Sequence, residues 1–131
     1  MKVLLINGSP HKKGCTYTAL HEVETTLQQN GIETEMLHLG KAPVSGCIAC
    51  MNCMTTGFCF QKDIVRDIQM RLDEFNGIVI GSPVYYSAPT GQLISFLNRL
   101  FFATEKRMAG KLGASVVSCR RGGASATFEQ L

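Results

Sequence analysis

Short apolar runs alternate with amphipathic stretches along this chain of 131 residues. Four of the runs predict strands buried on one or both faces, at residues 3–6, 32–39, 78–80 and 114–117. The second run alternates apolar and polar residues only weakly, which is typical of a strand at the edge of a sheet. Since strands that alternate with helices pair in parallel, the chain is predicted to form an α/β fold with a doubly wound parallel sheet.

The amphipathic stretches predict three crossover helices and the start of a fourth. The first begins at Thr16 and ends before Asn30, and the second covers residues 61–75 with apolar side chains three or four positions apart. The third runs from Thr90 to about residue 103, and the fourth begins at Ala124. The third helix carries more apolar side chains than one sheet face requires, so we expect it to contribute to a subunit interface.

The turns after the first, third and fourth strands are the expected ligand site. Parallel strands end at one edge of the sheet, and doubly wound folds bind ligands there, where the order of the strands reverses. The first turn, residues 8–16, offers hydroxyls, lysines and free backbone N–H groups to an anion. It matches neither G-x-x-x-x-G-K-S/T nor G-x-G-x-x-G, so a monophosphate is favoured over a triphosphate or a dinucleotide. A plain surface turn capped by Ser9 or Thr16 is the alternative.

A compact cysteine pattern, C-x2-C-x2-C-x5-C, is formed by Cys47, Cys50, Cys53 and Cys59. Three cysteines at successive two-residue gaps, with a fourth a few residues on, can hold an iron-sulfur cubane, so a [4Fe-4S] cluster and electron transfer are expected. The alternatives are a zinc site, which usually has two separated C-x2–4-C pairs, and a set of unused or disulfide-bonded thiols. Two further cysteines are interpreted as loop or small buried thiols, Cys15 and Cys119.

Composition and charge exclude several classes of protein. The net charge of +3, from 13 basic and 10 acidic residues, is too small and too scattered for a nucleic-acid-binding protein and suits a small anionic ligand. The apolar start of the chain is shorter than the core of a signal peptide, and no stretch approaches a membrane span. A cytoplasmic protein with one domain over residues 1–131 is therefore expected. Motifs of serine hydrolases and zinc proteases are lacking, so no side chains are candidates for hydrolysis.

These motifs resemble the NADPH-dependent FMN reductase superfamily, and within it the iron-sulfur flavoproteins of anaerobes, over nearly the whole chain. Residues 8–16 are similar to the family's loop for the FMN phosphate, and residues 82–93 to its loop for the flavin ring. Residues 46–63 resemble the compact cysteine motif of the iron-sulfur branch, and residues 118–123 resemble the third flavin loop.

The resemblance implies a flavodoxin-like three-layer fold, FMN as the cofactor, and chemistry carried by the flavin with no catalytic side chain. It implies FMN contacts at Ser9, His11, Lys13, Cys15, Thr16, Pro83, Val84, Tyr85, Tyr86, Cys119, Arg120, Gly122 and Gly123. It also assigns the cluster to the four cysteines of the pattern. The two tyrosines suit the wall of a flat ring, and their alternative is an ordinary core or interface role. Arg120 is expected to place positive charge near the reduced ring, and the alternative is that Arg120 and Arg121 are two solvated charges on a glycine-rich turn.

Two departures from the family bear on these expectations. Family members commonly have Asn at the position of Cys15 and a basic residue at the position of His11. At these two positions we therefore expect weaker side-chain contacts with FMN and unchanged backbone contacts. Family members also continue into a fifth strand and a final helix. We therefore expect that this chain is truncated or that a partner subunit covers the exposed sheet edge.

The expected function is that of an FMN-dependent oxidoreductase. It would move electrons between a small-molecule or protein donor and an acceptor through FMN, with the cluster relaying single electrons and NAD(P)H as a candidate donor. A homodimer or homotetramer is expected, with no nucleic-acid or membrane partner. One alternative is a cluster-free NAD(P)H-dependent reductase of flavins or quinones. The other is a non-enzymatic electron carrier of the flavodoxin type. The positive net charge and the cysteine pattern argue against this carrier.

Overall fold

A computed structural model describes residues 1–131 as four parallel strands and five α-helices. The strands are β1 (Lys2–Asn7), β2 (Glu33–His38), β3 (Gly77–Pro83) and β4 (Leu112–Ser118). Their order in the sheet is β2-β1-β3-β4, so the direction of winding reverses between β1 and β3. The predicted doubly wound parallel sheet is confirmed, and β2 lies at an edge as its weak pattern indicated.

Helices cover both faces of the sheet because successive side chains of a strand point to opposite faces. On one face, Leu4 and Ile6 of β1 pack with Ile78 and Ile80 of β3 against the helices that follow β2 and β3. On the other face, Val3, Leu5 and Val79 pack against Leu20 of the first helix. Burial of such side chains stabilises the fold by about 1.5–3 kcal/mol each. The two central strands are therefore anchored from both sides.

The helices are α1 (Cys15–Gln29), α2 (Asn52–Thr56), α3 (Ile64–Arg71), α4 (Gly91–Met108) and α5 (Ala124–Phe128). The helix predicted over residues 61–75 is shorter than expected, because the Asp63 side chain accepts the Val65 N–H at 3.1 Å and caps α3. A 3-10 turn, Leu72–Glu74, follows α3. The third predicted helix is longer than expected and is interrupted at Thr104, whose hydroxyl donates to the Leu100 oxygen at 2.6 Å. The short α2 lies in the cysteine segment and was not predicted.

The far edge of the sheet is formed by β4, which pairs only with β3. Its first residues, Leu112, Gly113 and Ala114, are exposed.

Most of the apolar surface of α4 packs in the core, where Leu93, Phe96, Leu97 and Leu100 are buried. Phe102 of α4 remains 45% exposed beside the cysteine segment. No helix combines the length and the apolar character needed to cross a membrane.

Candidate functional site

The turns after β1, β3 and β4 meet at the carboxyl edge of the sheet, as the parallel topology predicted. Thr90 Oγ1 donates to the Gly8 oxygen at 2.7 Å, which joins the second turn to the first. The Val84 N–H donates to the Ser118 oxygen at 3.0 Å, which joins the second turn to the third. Thr16 Oγ1 and Ser118 Oγ lie 2.8 Å apart and join the first turn to the third. The three turns therefore form one connected surface.

The first turn presents a row of free backbone donors. The N–H groups of residues 12–17 have no hydrogen-bond acceptor within the protein. Helix α1 begins here with Gly14 as N-cap, no capping side chain and no acidic residue in its first turn. Unpaired N–H groups and the positive end of a helix dipole favour an anion, and a phosphate above all. The structure thus supplies the donors that the sequence predicted for a phosphate loop.

A buried amide below this turn also lacks a partner. Asn7 is the last residue of β1 and is fully buried, and its Oδ1 accepts the Ser9 N–H at 3.0 Å. Its Nδ2 has no hydrogen-bond partner in the protein. Since an unpaired buried donor costs about 1–3 kcal/mol, a ligand or water atom at this edge is expected to accept from it. Asn7 was not predicted as a site residue, although its place at the end of a buried strand was a usable signal.

His38 was also missed and supports the same turn from β2. His38 lies opposite Asn7 in the register of β1 and β2. A hydrogen bond of 2.9 Å joins its Nε2 to the Ser9 oxygen. His38 thus holds the main chain of the first turn from the neighbouring strand.

The second turn projects an aromatic side chain away from the sheet. Tyr85 and Ala88 exchange two main-chain hydrogen bonds, of 2.8 and 3.1 Å, across a two-residue turn. The central residues, Tyr86 and Ser87, have φ values of 50° and 60°, and such left-handed residues cost about 1–3 kcal/mol each. Tyr86 is fully exposed and Tyr85 is 47% exposed. Strained backbone with an exposed ring is typical of a ligand-binding turn.

The third turn packs closely on the second. Gly123 has φ of +91°, and a Cβ there would lie 2.9 Å from Ser87 Cα. Only glycine fits this position without displacing the second turn. Arg120 and Arg121 are exposed and have no ion-pair partner in the protein.

The predicted FMN contacts all lie at this edge, because each is the last residue of a strand or follows the end of one. The buried or half-buried residues among these predicted contacts are Ser9, Thr16, Pro83, Val84 and Gly123. The exposed residues among them are His11, Lys13, Cys15, Tyr85, Tyr86, Cys119, Arg120 and Gly122. The structure brings these residues together, and the contact of each with FMN stays a prediction.

A second candidate site lies between the cysteine segment and α4. One apolar pocket is lined by Cys47, Cys50, Cys53 and Cys59 with Ile48, Met51, Phe60, Arg99 and Phe102. Burial raises the pKa of the Cys53 thiol, and the charges of the other three cysteines raise it further. No three of these thiols lie close enough together to ligate one metal ion. The four thiols fit a [4Fe-4S] cluster in their chemistry, since each cysteine of such a cluster would bind a different iron atom.

An ion pair between Arg99, which lines the cysteine pocket, and the half-buried Asp63 lies at this site. Arg99 of α4 is 1% exposed, and its Nη1 and Nη2 donate to the Asp63 carboxylate at 2.6 and 2.9 Å. Burial acts to raise the pKa of Asp63, but the hydrogen bonds and charge of Arg99 outweigh it, so that pKa lies below its usual range. Both partners are therefore charged at neutral pH.

A family model described as NADPH-dependent FMN reductase matches residues 1–131. The chain belongs to this family. Two relatives are named iron-sulfur flavoproteins. That of Methanocaldococcus jannaschii is 32% identical over 136 residues, which cover 100% of this chain and 69% of the relative. That of Archaeoglobus fulgidus is 30% identical over 118 residues, which cover 89% and 54%. The chain thus spans between about half and about two thirds of the length of these relatives.

Solved structures show the same fold. RosB with bound 8-demethyl-8-formylriboflavin-5'-phosphate superposes with a TM-score of 0.80 at 16% identity, over 98% of this chain and 56% of RosB. An FMN-dependent NADH-azoreductase from Bacillus anthracis in complex with FMN superposes with a TM-score of 0.69 at 12% identity, over 98% of this chain and 78% of the azoreductase. The predictions of the family and of the flavodoxin-like fold are both confirmed.

Proposed function

We propose that this protein is an FMN-dependent oxidoreductase of the iron-sulfur flavoprotein type. The three turns would hold FMN, and the cysteine pocket would hold a [4Fe-4S] cluster that exchanges single electrons with it. The observation that carries the proposal is the row of unpaired N–H groups at residues 12–17, which lies on the same edge of the sheet as the exposed tyrosines of the second turn. A phosphate and a flat ring are the two ends of FMN, and the edge of this sheet offers a place for each.

The residues of this chain would act by binding and orientation. The N–H groups of residues 12–17 and the ammonium of Lys13 would neutralise the phosphate. Tyr85 and Tyr86 would form a wall for the ring and limit the access of water. Bound FMN would supply the redox chemistry, since a flavin accepts a hydride or single electrons while the protein sets its position and electrostatics.

Two observations support the cluster. The relatives at 30% and 32% identity are named iron-sulfur flavoproteins, and this chain places four thiols around one apolar pocket. A low-polarity pocket with cysteine donors is the usual setting of such a cluster. NAD(P)H or a reduced protein would be the electron donor, since the family is named for NADPH.

A cluster-free NAD(P)H-dependent reductase of flavins or quinones is the second candidate. The separation of the thiols favours it, since no three of them are within ligating distance in this structure. In that case the hydride would pass directly from the nicotinamide to the flavin.

A homodimer or homotetramer is proposed as the working assembly. Apolar side chains are exposed around the cysteine pocket, at Ile48, Met51, Met54, Phe60 and Phe102. Contiguous apolar surface of this kind is typical of a contact between subunits. Sedimentation equilibrium of the full chain would measure the assembly, and a monomer at every concentration would contradict it.

The test is an absorption spectrum of anaerobically purified protein together with iron, sulfide and FMN assays. Flavin bands above a broad iron-sulfur shoulder, with about four iron atoms per chain, are expected for the leading proposal. Flavin bands without iron would support the cluster-free reductase. Protein that contains no flavin and binds none when it is added would overturn both.

A further inference from the structure

Arg99 has more partners than an ion pair requires. Its bidentate contact with Asp63 is complete through Nη1 and Nη2, and Nη1 also donates to the Ser45 oxygen at 3.3 Å. Its remaining contacts are to a sulfur. Nε and Nη2 lie 3.4 and 3.2 Å from Cys59 Sγ and donate to it. A buried guanidinium, fixed by a carboxylate, is therefore directed at one cysteine of the pattern.

The main chain of Cys59 is fixed as well. Its N–H donates to Gln69 Oε1 at 2.9 Å, and its oxygen accepts from Arg66 Nη1 at 3.2 Å. Gln69 is fully buried, and its Nε2 donates to the Arg99 oxygen at 2.9 Å. Cys59 is thus held at its N–H, its oxygen and its sulfur by residues of α3 and α4.

The other three cysteines lack this support. Cys47 and Cys50 are exposed, and the one hydrogen bond to a sulfur among the three is the weak contact of 3.5 Å from the Ala49 N–H to Cys47 Sγ. No cation contacts Cys50 or Cys53. A cluster held by the four thiols would therefore have one sulfur next to a buried positive charge and three without one.

This asymmetry has an electrostatic consequence. Reduction adds one electron to a cluster and breaks no bond, so the reduced cluster is more negative by one charge. Hydrogen bonds to the ligating sulfurs and nearby positive charge stabilise that form and raise the reduction potential. The carboxylate of Asp63, which binds Arg99, is negative and therefore lowers the reduction potential.

We propose that Arg99 is a positioning residue that presents Cys59 to the cluster and raises the reduction potential of that cluster. Asp63 partly offsets this effect by lowering the potential. This inference rests on the proposed function, because it requires the cluster. It assigns opposite effects to two partners of one ion pair, which a purely structural role does not predict.

The experiment is a redox titration of the full chain with dithionite as the one-electron reductant, followed by electron paramagnetic resonance. Arg99→Gln is expected to lower the midpoint potential by about 59 mV, which is a tenfold change in a one-electron equilibrium. Asp63→Asn keeps a good helix cap and is expected to raise the potential. Arg99→Lys keeps the charge and is expected to retain most of the parent value.

Two further variants keep the test decisive. Arg99→Gln leaves the half-buried Asp63 carboxylate without its partner, so the double variant Arg99→Gln/Asp63→Asn is made as well and is expected to have a lower potential than Asp63→Asn alone. The matched control is Arg71→Gln, which breaks another bidentate pair, with Glu35 at 2.7 and 2.8 Å, away from the cysteines. It is expected to leave the potential unchanged.

The outcomes separate the two proposals. Equal midpoint potentials in the parent and in every Arg99 and Asp63 variant, at full iron content, would overturn the role of Arg99 and leave the proposed function intact. A parent protein that takes up neither iron nor sulfide would overturn the cluster, and the role of Arg99 with it.

Discussion

Thr90 Oγ1 donates a 2.7 Å hydrogen bond to the Gly8 oxygen, and both residues are buried. Thr90 is the N-cap of α4, and its own N–H donates to Ser82 Oγ at 3.2 Å. Gly8 in turn donates its N–H to the Gly81 oxygen at 2.8 Å. One hydroxyl therefore connects the start of a helix with the first residue of the proposed phosphate loop.

Thr90→Val is predicted to lower both the free energy of unfolding and the affinity for FMN. The substitution keeps the shape of the side chain but leaves the buried Gly8 oxygen unpaired, at a cost of about 1–3 kcal/mol. Urea unfolding and FMN titration measure the two effects. Thr26→Val is the control, since Thr26 Oγ1 donates to the Glu22 oxygen on the exposed face of α1. Equal effects of the two substitutions would contradict the prediction.

Lys13→Ala is predicted to weaken FMN binding about threefold to tenfold at low salt, with a smaller effect at high salt because ions screen an exposed charge. Riboflavin lacks the phosphate, so its affinity is expected to stay constant. Fluorescence quenching measures both ligands. Lys41→Ala, on an exposed lysine outside the turns, is the control. A loss of riboflavin affinity equal to that of FMN would show that Lys13 does not act on the phosphate.

Tyr86→Ala is predicted to weaken FMN and riboflavin alike, by about threefold to tenfold, because the lost contact is to the ring, and stacked aromatic pairs contribute about 0.5–1.5 kcal/mol. Tyr86→Phe keeps the ring and is expected to bind like the parent. Titration of both variants with both flavins checks this. Unchanged affinity of the Ala variant would remove Tyr86 from the site.

How much the sequence could predict differs between the strands and the turns. The strands were predictable because a continuous apolar run is typical of a strand buried on both faces, and runs such as residues 3–6 are buried in the structure. The left-handed turn at Tyr86 and Ser87 was not, since neither residue type favours positive φ. In the structure this turn packs against the third turn, where Gly123 lies close to Ser87.

Long-range partners explain what sequence analysis missed at the cysteine pocket. The spacing of the cysteines identified one set of thiols, and the structure places all four around one pocket. Arg99 gave no signal, because it lies in an apolar helix and its partners Asp63 and Cys59 are 36 and 40 residues away. The short α2 has too few residues to show a period.

Glu35→Gln is predicted to destabilise the protein at neutral pH but not at low pH. Arg71, and to a lesser extent Lys2, donate hydrogen bonds that lower the pKa of Glu35 from 4.5 to about 2. A lowered pKa adds stability above the unfolded value of about 4.5, and that stability is lost as the pH falls toward 2. Because the pair is partly exposed, we expect about 1 kcal/mol at pH 7.

Urea unfolding of the parent and of Glu35→Gln between pH 7 and pH 3 measures the effect. Glu33→Gln is the control, since Glu33 lies on the same strand, is exposed and has no ion-pair partner. A stability difference for Glu35→Gln that stays constant across this range would contradict the assignment.

A parallel fluorescence titration of the protein with FMN and with riboflavin tests the proposed phosphate site. FMN fluorescence is expected to be quenched at one molecule per chain, and FMN is expected to bind at least tenfold more tightly than riboflavin, because the N–H groups of residues 12–17 bind its phosphate. Equal affinity for the two flavins, or no quenching of either, would contradict it.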